Sequence, residues 1–534
     1  MISRRQVLQG GALTAMALAL PFARPRRAFA GTPTTFDYYI SVDGDDSNPG
    51  TLSQPWSITA LNAKMTIYAG KSIGIIGNTS ANPTVINAGR AGGVITSLYS
   101  LYQNLAGNLS GGVLMVNGGT SASSPTYLAT CDSSGVYSPR TAVIDASDPS
   151  TGALPTVQGG LLTQNAYQSS VIPPNLGNVT VDGLVIRNFT FSALLFWAES
   201  TMSGVTIQNC DLYDGQNVVS NNNPGAIYFD GVVNGNVQNC LIHDVISNAS
   251  GTSSNMQACG FIQFNSSGTT IKNCTFYNCC AISNKDGWQS MNVSYCYCGW
   301  GTFGSPYSYD PQYSNLGGTI QNYLCGSGET VAFHHNIVLG PLLATGESNQ
   351  ANAGTVLIYN NTFYKPAGIG GKNAGLTSFT DLNTGNNAGG TGTFEFYNNI
   401  VYAEDGRYAD GYGNPAAFGK MGASTGGTWS TLTNCDYNAY GSGMTFGQSW
   451  VTGDFPWPLS KWQGYSYDKN STILTESPFG GGPSEADYAT FTASGPATTA
   501  GKGGGVCGAV DGSGPVGCDF ATLPRPSAST LSGS

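Results

Sequence analysis

Val205-Thr-Ile-Gln-Asn-Cys-Asp-Leu-Tyr-Asp214 alternates apolar and polar side chains on both sides of a central Asn-Cys pair. Alternation with a period of two is typical of β-strands. Asparagine adopts a left-handed bend more easily than most residues that carry a side chain. The stretch therefore predicts two short strands that meet at a tight corner.

The same phrase returns further along the chain, at residues 236–244, 270–278, 293–296, 331–338, 356–363, 394–401 and 432–435. The predicted corner residues, 22 to 40 positions apart, are Asn209, Asn239, Asn273, Tyr295, His335, Asn360, Asn398 and Asn434. A short repeat with additions of variable length is typical of a solenoid whose coils carry loop insertions.

The position after each corner also repeats, as Cys210, Cys240, Cys274, Cys296, Asn336, Asn361, Asn399 and Cys435. Coils of a solenoid stack about 4.8 Å apart, so like side chains at this position would form a ladder. We interpret the cysteines as small buried apolar groups and the asparagines as a hydrogen-bonded ladder. The spacing would also permit some disulfides, but no redox or metal role is assigned to these residues.

These phrases, over about residues 176–440, resemble the coils of the right-handed parallel β-helix, or pectate-lyase-like, superfamily. The opening phrase Tyr38-Tyr-Ile-Ser-Val-Asp-Gly-Asp-Asp-Ser-Asn-Pro-Gly-Thr51 resembles the start of many secreted members. The resemblance implies an all-β, single-stranded right-handed parallel β-helix with loop insertions and an elaborated N-terminal region. It also implies a polysaccharide substrate or partner. It does not specify the activity, because this architecture hosts lyases, glycosidases, epimerases, esterases and non-catalytic adhesins.

The N-terminus resembles a twin-arginine export signal. Ser3-Arg-Arg-Gln-Val-Leu8 precedes a short apolar run and the cleavage pattern Ala28-Phe-Ala30. An ordinary secretory signal is the alternative. The apolar run is too short to span a bilayer. We therefore expect a periplasmic or extracellular protein. The expected divisions are a signal peptide (1–30), N-terminal coils or cap with long loops (31–175), the β-helix core (176–440), and a C-terminal cap with a Gly/Pro/Ser-rich tail (441–534).

Composition narrows the choice of partner. Hydrophobic residues make up 40% of the 534 residues and charged residues only 9%, and the formal net charge is −10. The predicted leader contains five arginines and no acidic residue, so its removal makes the charge more negative. Nucleic acids and anionic membranes require a basic surface, so neither is an expected partner. Thirteen cysteines fit an exported protein. The oligomeric state is left open.

The strand before each phrase is predicted to contribute to one long exposed face. If Ile227, Phe229, Ile262 and Phe264 point inward, alternation sends Tyr228, Asp230, Gln263 and Asn265 outward. The neighbouring strands would add Trp197 or Glu199 on one side and Lys285 or Asp286 on the other. Aromatic rings and amides are typical of sugar binding, which makes Trp197, Tyr228, Gln263 and Asn265 predicted substrate-binding residues.

Three functions are compatible with this face. The leading hypothesis is glycoside hydrolysis of a neutral or weakly charged glycan by two of the carboxylates, with Asp230 and Glu199 first and Asp286 third. The alternative is β-elimination by Lys285 as the base, assisted by calcium held by Asp230 and Asp286. The scarcity of arginine in the mature chain disfavours this uronate lyase. The third hypothesis is a non-catalytic glycan-binding surface or matrix protein. The only histidines, His243, His334 and His335, are interpreted as structural.

Overall fold

A computed structural model describes most of the solenoid. The predicted signal peptide and the end of the C-terminal tail lie outside the described part. The described residues are 33–87, 114–147, 159–165, 174–217, 225–247, 258–285, 290–299, 320–322, 325–339, 342–344, 354–365, 380–381, 393–404, 432–444, 446, 457–483 and 488–518.

The described residues form short strands and very little helix. The strands, numbered in chain order, are β1 (Tyr38–Ile40), β2 (Ser72–Ile76), β3 (Thr84–Asn87), β4 (Leu114–Met115), β5 (Thr126–Cys131), β6 (Ala142–Asp145), β7 (Gly159–Asn165), β8 (Val179–Asp182), β9 (Val185–Arg187), β10 (Phe191–Ser203), β11 (Val205–Gln208), β12 (Asp211–Asn217), β13 (Gly225–Val233), β14 (Asn236–Gln238), β15 (Leu241–Ser247), β16 (Cys259–Phe264), β17 (Thr269–Lys272), β18 (Thr275–Tyr277), β19 (Cys280–Asn284), β20 (Met291–Ser294), β21 (Tyr297–Cys298), β22 (Ile320–Asn322), β23 (Thr330–His334), β24 (Ile337–Val338), β25 (Leu342–Ala344), β26 (Thr355–Tyr359), β27 (Thr362–Lys365), β28 (Thr380–Asp381), β29 (Thr393–Tyr397), β30 (Ile400–Ala403), β31 (Leu432–Asp436), β32 (Ala439–Gly441) and β33 (Thr472–Leu474).

Helical segments are few and lie near the two ends of the described solenoid. The α-helices are Ala60–Ala63, Met65–Tyr68 and Leu459–Gly464, and the 3-10 helices are Tyr488–Phe491, Gly495–Thr498 and Lys502–Gly504. Among the described residues, no helix is long and apolar enough to cross a membrane.

The strands form three parallel sheets. Sheet 1 has the order β1-β2-β5-β8-β11-β14-β17-β20-β23-β26-β29-β31, sheet 2 the order β3-β6-β9-β12-β15-β18-β21-β24-β27-β30-β32-β33, and sheet 3 the order β28-β25-β22-β19-β16-β13-β10-β7-β4. In the central coils the chain passes from sheet 3 to sheet 1 to sheet 2 and then into the next coil. This topology confirms the predicted all-β parallel β-helix.

The corner between sheet 1 and sheet 2 takes the predicted left-handed conformation. Positive φ angles of 50–59° occur at Asn209, Asn239, Asn273, Tyr295, His335, Asn360, Asn398 and Tyr437. Seven of these eight residues are the predicted ones. The exception is the last coil, where Tyr437 takes the place predicted for Asn434, because Asn434 lies within β31 and pairs there with Glu395.

The ladder behind this corner faces the interior. Cys210, Cys240, Cys274 and Cys296 are buried, and each sulfur lies 3.2–3.4 Å from the carbonyl oxygen two residues before it. Asparagines continue the ladder through side-chain hydrogen bonds. The predicted last member, Cys435, is wrong, because Cys435 lies within β31, and Asn438, which follows the corner at Tyr437, continues the ladder.

A C-terminal segment, residues 488–518, packs on the outer side of sheet 2. Its apolar side chains join an outer hydrophobic cluster with residues of sheet 2 such as Tyr297, Ile337 and Ile400. Its backbone contacts successive coils: the N–H of Gly508 donates to the carbonyl of Asn398, and the N–H of Gly517 donates to that of Tyr295. The segment therefore covers much of sheet 2.

Candidate functional site

The outward face of sheet 3 aligns the central predicted residues in one column. Trp197 of β10 lies opposite Asp230 of β13, and Asp230 lies opposite Phe264 of β16. Lys285 follows β19, and its N–H donates to the carbonyl of Gln263 at 2.9 Å, which puts Lys285 next to Phe264. Because adjacent strands are about 4.8 Å apart, Asp230 and Lys285 are separated by about 10 Å along this column.

Asp230 is half-buried between two half-buried aromatic residues of its column. Its Oδ1 accepts a hydrogen bond of 3.0 Å from Nδ2 of Asn265, which is exposed at the end of β16. The predicted grouping of Trp197, Asp230 and Asn265 on one outward face is therefore present in the structure.

An aromatic cluster surrounds this column. The Tyr228 ring lies 6.3 Å from that of Trp197 and 5.4 Å from that of Phe264, measured between centroids. Tyr228 points outward, as predicted, but is only 4% exposed, whereas Trp197 and Phe264 are half-buried. Trp197 and Phe264 are therefore the accessible aromatic groups, and Tyr228 supports them.

The predicted orientation of β16 is wrong. Phe261, not Ile262, lies opposite the inward Ile227 and belongs to the main core, so Ile262 joins the outward cluster around Tyr228. Gln263 consequently faces the interior, fully buried, and its Nε2 donates to Oδ1 of Asn284 at 2.8 Å. Gln263 therefore cannot contact a substrate on the outer face.

The other predicted residues differ in how far the structure describes them. Lys285 is 6% exposed. Glu199 belongs to β10, but its side chain is not among those described, and Asp286 lies outside the described residues. Within the described part of the chain, no group of three or more His, Cys, Asp or Glu side chains is arranged to hold a metal ion. A carboxylate pair and a calcium site thus remain predictions.

Comparisons with known proteins find solved structures of low similarity. No protein-family model and no curated protein matches the chain. Among solved structures, pectate lyase Pel9A is 14% identical, with 70% of this chain and 78% of that chain covered and a TM-score of 0.37. A rhamnogalacturonan lyase is 12% identical, with coverages of 75% and 87% and a TM-score of 0.35. The GH136 lacto-N-biosidase from Eubacterium ramulus is 13% identical, with coverages of 76% and 63% and a TM-score of 0.39.

A second polar cluster, on the outer side of sheet 2, was not predicted. The ring of His243 is stacked between Tyr213 and Tyr277, with centroid distances of 5.0 and 4.6 Å. Its Nδ1 lies 2.6 Å from Oδ2 of Asp244, and its Nε2 lies 3.4 Å from Oδ1 of Asp211. Both ring nitrogens therefore face carboxylates, which is the arrangement of a structural histidine.

Burial and neighbouring charges shift the pKa values of His243 and Asp214 in this cluster. Burial alone would lower the pKa of His243, but the hydrogen bonds and charges of Asp211 and Asp244 outweigh burial and raise that pKa to about 9. The carboxyl of Asp214 reaches solvent in part. Even so, desolvation by its neighbours, followed by the charge of Asp244, raises its pKa. The sequence signal for this cluster was the repetition of Tyr213-Asp214 as His243-Asp244 one coil later.

Proposed function

We propose that this protein is exported and acts on a polysaccharide that binds along the outer face of sheet 3. The observation that carries the proposal is the column in which Asp230 stands between Trp197 and Phe264. Aromatic rings can cover the apolar side of a sugar, and a carboxylate between them lies within reach of its hydroxyl groups or glycosidic bond. The low charge of the chain fits a neutral or weakly charged glycan.

The proposed reaction is glycoside hydrolysis by two carboxyl groups. One protonates the oxygen of the departing sugar as the C–O bond breaks, and the other, as carboxylate, activates the attacking water or attacks the anomeric carbon itself. Asp230 is one member of the pair and Glu199 is its proposed partner, with Asp286 as the third choice. The separation of the two carboxyl groups decides whether the configuration at the anomeric carbon is inverted or retained.

The experiment is an Asp230→Asn substitution in the mature protein. Purified protein is first screened on neutral and uronic polysaccharides for new reducing ends and for unsaturated ends. Asp230→Asn should lower kcat at least about a hundredfold without changing the melting temperature, because the amide can neither ionise nor accept a proton. Asp43→Asn, at an exposed position near the N-terminus, is the matched control. Wild-type turnover by Asp230→Asn would refute the role of Asp230.

A calcium-assisted lyase is the second candidate, and the burial of Lys285 favours it. A lysine that serves as a general base must lose its proton near neutral pH, and removal from water promotes that loss. Lys285 is 6% exposed and shares the column of Asp230. Unsaturated products that disappear with a chelator and with Lys285→Met would support this reaction. Glycan binding without any cleavage would instead support the non-catalytic surface or matrix protein.

A further inference from the structure

We propose that Asn265 is a positioning residue that keeps Asp230 ionised, so that Asp230 is the base or nucleophile of the reaction and not its acid. This inference rests on the proposed hydrolysis. It replaces the sequence-based role of Asn265 as a residue that binds the substrate.

The contact between the two side chains has a direction. The amide nitrogen of Asn265 can only donate, and it donates to Oδ1 of Asp230 at 3.0 Å. A hydrogen bond donated to a carboxyl oxygen stabilises the charged form over the protonated form. Asn265 therefore works against protonation of Asp230, and a group held in this state is suited to accept a proton or attack an electrophilic carbon.

The backbone around Asn265 is fixed to the strand that carries Asp230. The hydroxyl of Ser266 accepts a hydrogen bond of 3.0 Å from the N–H of Val232 in β13 and donates to the carbonyl of Phe264 at 2.7 Å. Ser266 is buried. The turn that presents Asn265 is thus tied to β13 two residues after Asp230, which limits how far the amide can move away from the carboxylate.

The conformation of Asn265 explains why an asparagine suits this place. Its φ is +43°, in the left-handed region where asparagine is among the few tolerated residues with a side chain. Glycine adopts the same backbone without strain but supplies no amide. Asn265→Gly therefore removes the hydrogen bond while preserving the turn.

Ionisation of Asp230 divides the work between the two carboxyl groups. Bond cleavage transfers a proton to the departing sugar oxygen, and that proton must come from a different group. Glu199 is the proposed donor. Asp230 takes the proton of the attacking water in an inverting course, or bonds to the anomeric carbon before water releases it in a retaining course.

The test is the pH profile of the wild type, Asn265→Gly and Asn265→Asp on the glycan identified by the screen. The acid limb of kcat should move upward by about one pH unit in Asn265→Gly, because a hydrogen bond to the charged form is lost. It should move further in Asn265→Asp, because a second carboxylate opposes ionisation. KM should stay within about twofold, whereas loss of a substrate contact would raise it. Asn234→Gly, an exposed asparagine with φ +56° at the end of β13, is the control.

A second measurement is independent of turnover. Carbon-13 NMR of the aspartate carboxyl groups, with the Asp230 signal assigned through Asp230→Asn, should show Asp230 titrating at higher pH in Asn265→Gly than in the wild type. An unchanged titration and an unchanged acid limb would overturn the inference while the proposed hydrolysis stands. A folded wild type that cleaves no glycan would overturn the hydrolysis and the inference that rests on it.

Discussion

At the residue scale, charge and burial act together on His243. His243 is 8% exposed, and its imidazole is stacked between two tyrosines and faced by Asp211 and Asp244. The carboxylates favour the protonated ring more strongly than burial opposes it, and the pKa rises to about 9. A protonated His243 thus stabilises the pairing of β15, which carries His243 and Asp244, with β12, which carries Asp211.

This charge makes stability dependent on pH. The folded-state pKa of His243 lies above its ordinary value of 6.5, so the stabilisation is fully present below about pH 6.5 and is lost as the pH rises through about 9. We expect the wild type to lose about 1 to 3 kcal/mol more unfolding free energy than His243→Gln between pH 6 and pH 9.5. Urea unfolding at both pH values measures this loss.

His334 supplies the control for that experiment. Burial, followed by the charges of His335 and Lys272, lowers the pKa of His334 to about 3. His334 therefore stays neutral throughout the range from pH 6 to pH 9.5, and His334→Gln should keep the pH dependence of the wild type. Equal slopes for the wild type and His243→Gln would contradict the assignment of the charge to His243.

Individual orientations were the weakest part of what the sequence could predict. Alternation alone does not decide whether Phe261 or Ile262 faces the core, because the two apolar residues are adjacent and both fit. The choice depends on pairing with Ile227 in β13, which is a contact between residues thirty-four positions apart. The error in Gln263 follows from this ambiguity, whereas Tyr228 and Asp230 face outward as predicted.

At the element scale, the corner ladder changes character along the solenoid. The cysteine portion fills space with small buried side chains, and the asparagine portion bonds each coil to the next. Asn361 donates to the carbonyls of Phe333 and Tyr359 at 2.9 and 3.1 Å, and its Oδ1 accepts from the N–H and Nδ2 of Asn336. Interior backbone groups of two adjacent coils thus depend on one amide.

We therefore expect Asn361→Ala to destabilise the protein by about 2 to 4 kcal/mol, because it leaves several buried polar groups unpaired. Denaturant unfolding monitored by tryptophan fluorescence measures the change. Asn360→Gly is the control, since Asn360 is half-buried at the adjacent corner with φ +53° and glycine retains that conformation. A loss for Asn361→Ala no larger than that for the control would show that the ladder is not a source of stability.

The corners themselves were predictable from sequence because the left-handed bend restricts the residue type. The prediction was wrong at the last coil. Asn434-Cys435 matches the phrase but lies within β31, and the bend occurs at Tyr437. The sequence alone does not distinguish Cys435 from Asn438, because both Cys and Asn follow the corner in other coils. Asp468 is fully buried and ends the ladder. Its carboxylate accepts hydrogen bonds from Nδ2 of Asn438 and Nε1 of Trp462.

At the scale of the whole molecule, the C-terminal segment links coils that are distant in sequence. Cys507 donates its N–H to Ala497 within the segment, while Gly508 and Ala509 bond to Asn398 and Thr362 on the solenoid. The side chain of His335 lies 3.1 Å from Asp511. The sequence did not predict this packing, because the segment is rich in glycine and its irregular turns give no periodic pattern of apolar residues.

Gly508 lies directly against sheet 2. Its φ is +93°, and a Cβ there would come within 2.7 Å of Cδ1 of Ile400 and Oγ1 of Thr362. Gly508→Ala therefore adds a steric clash to backbone strain, and we expect it to destabilise the protein by about 2 to 4 kcal/mol and to loosen the segment from the solenoid. Gly512→Ala is the matched control, because its φ is +88° but no atom lies within 4 Å of the added methyl. Limited proteolysis should cut residues 488–518 faster in Gly508→Ala than in Gly512→Ala while the coils resist cleavage, since the strands of the coils pair with one another in three sheets. Equal cleavage rates in the two variants would mean that backbone strain alone loosens the segment, and that the clash with Ile400 and Thr362 contributes nothing.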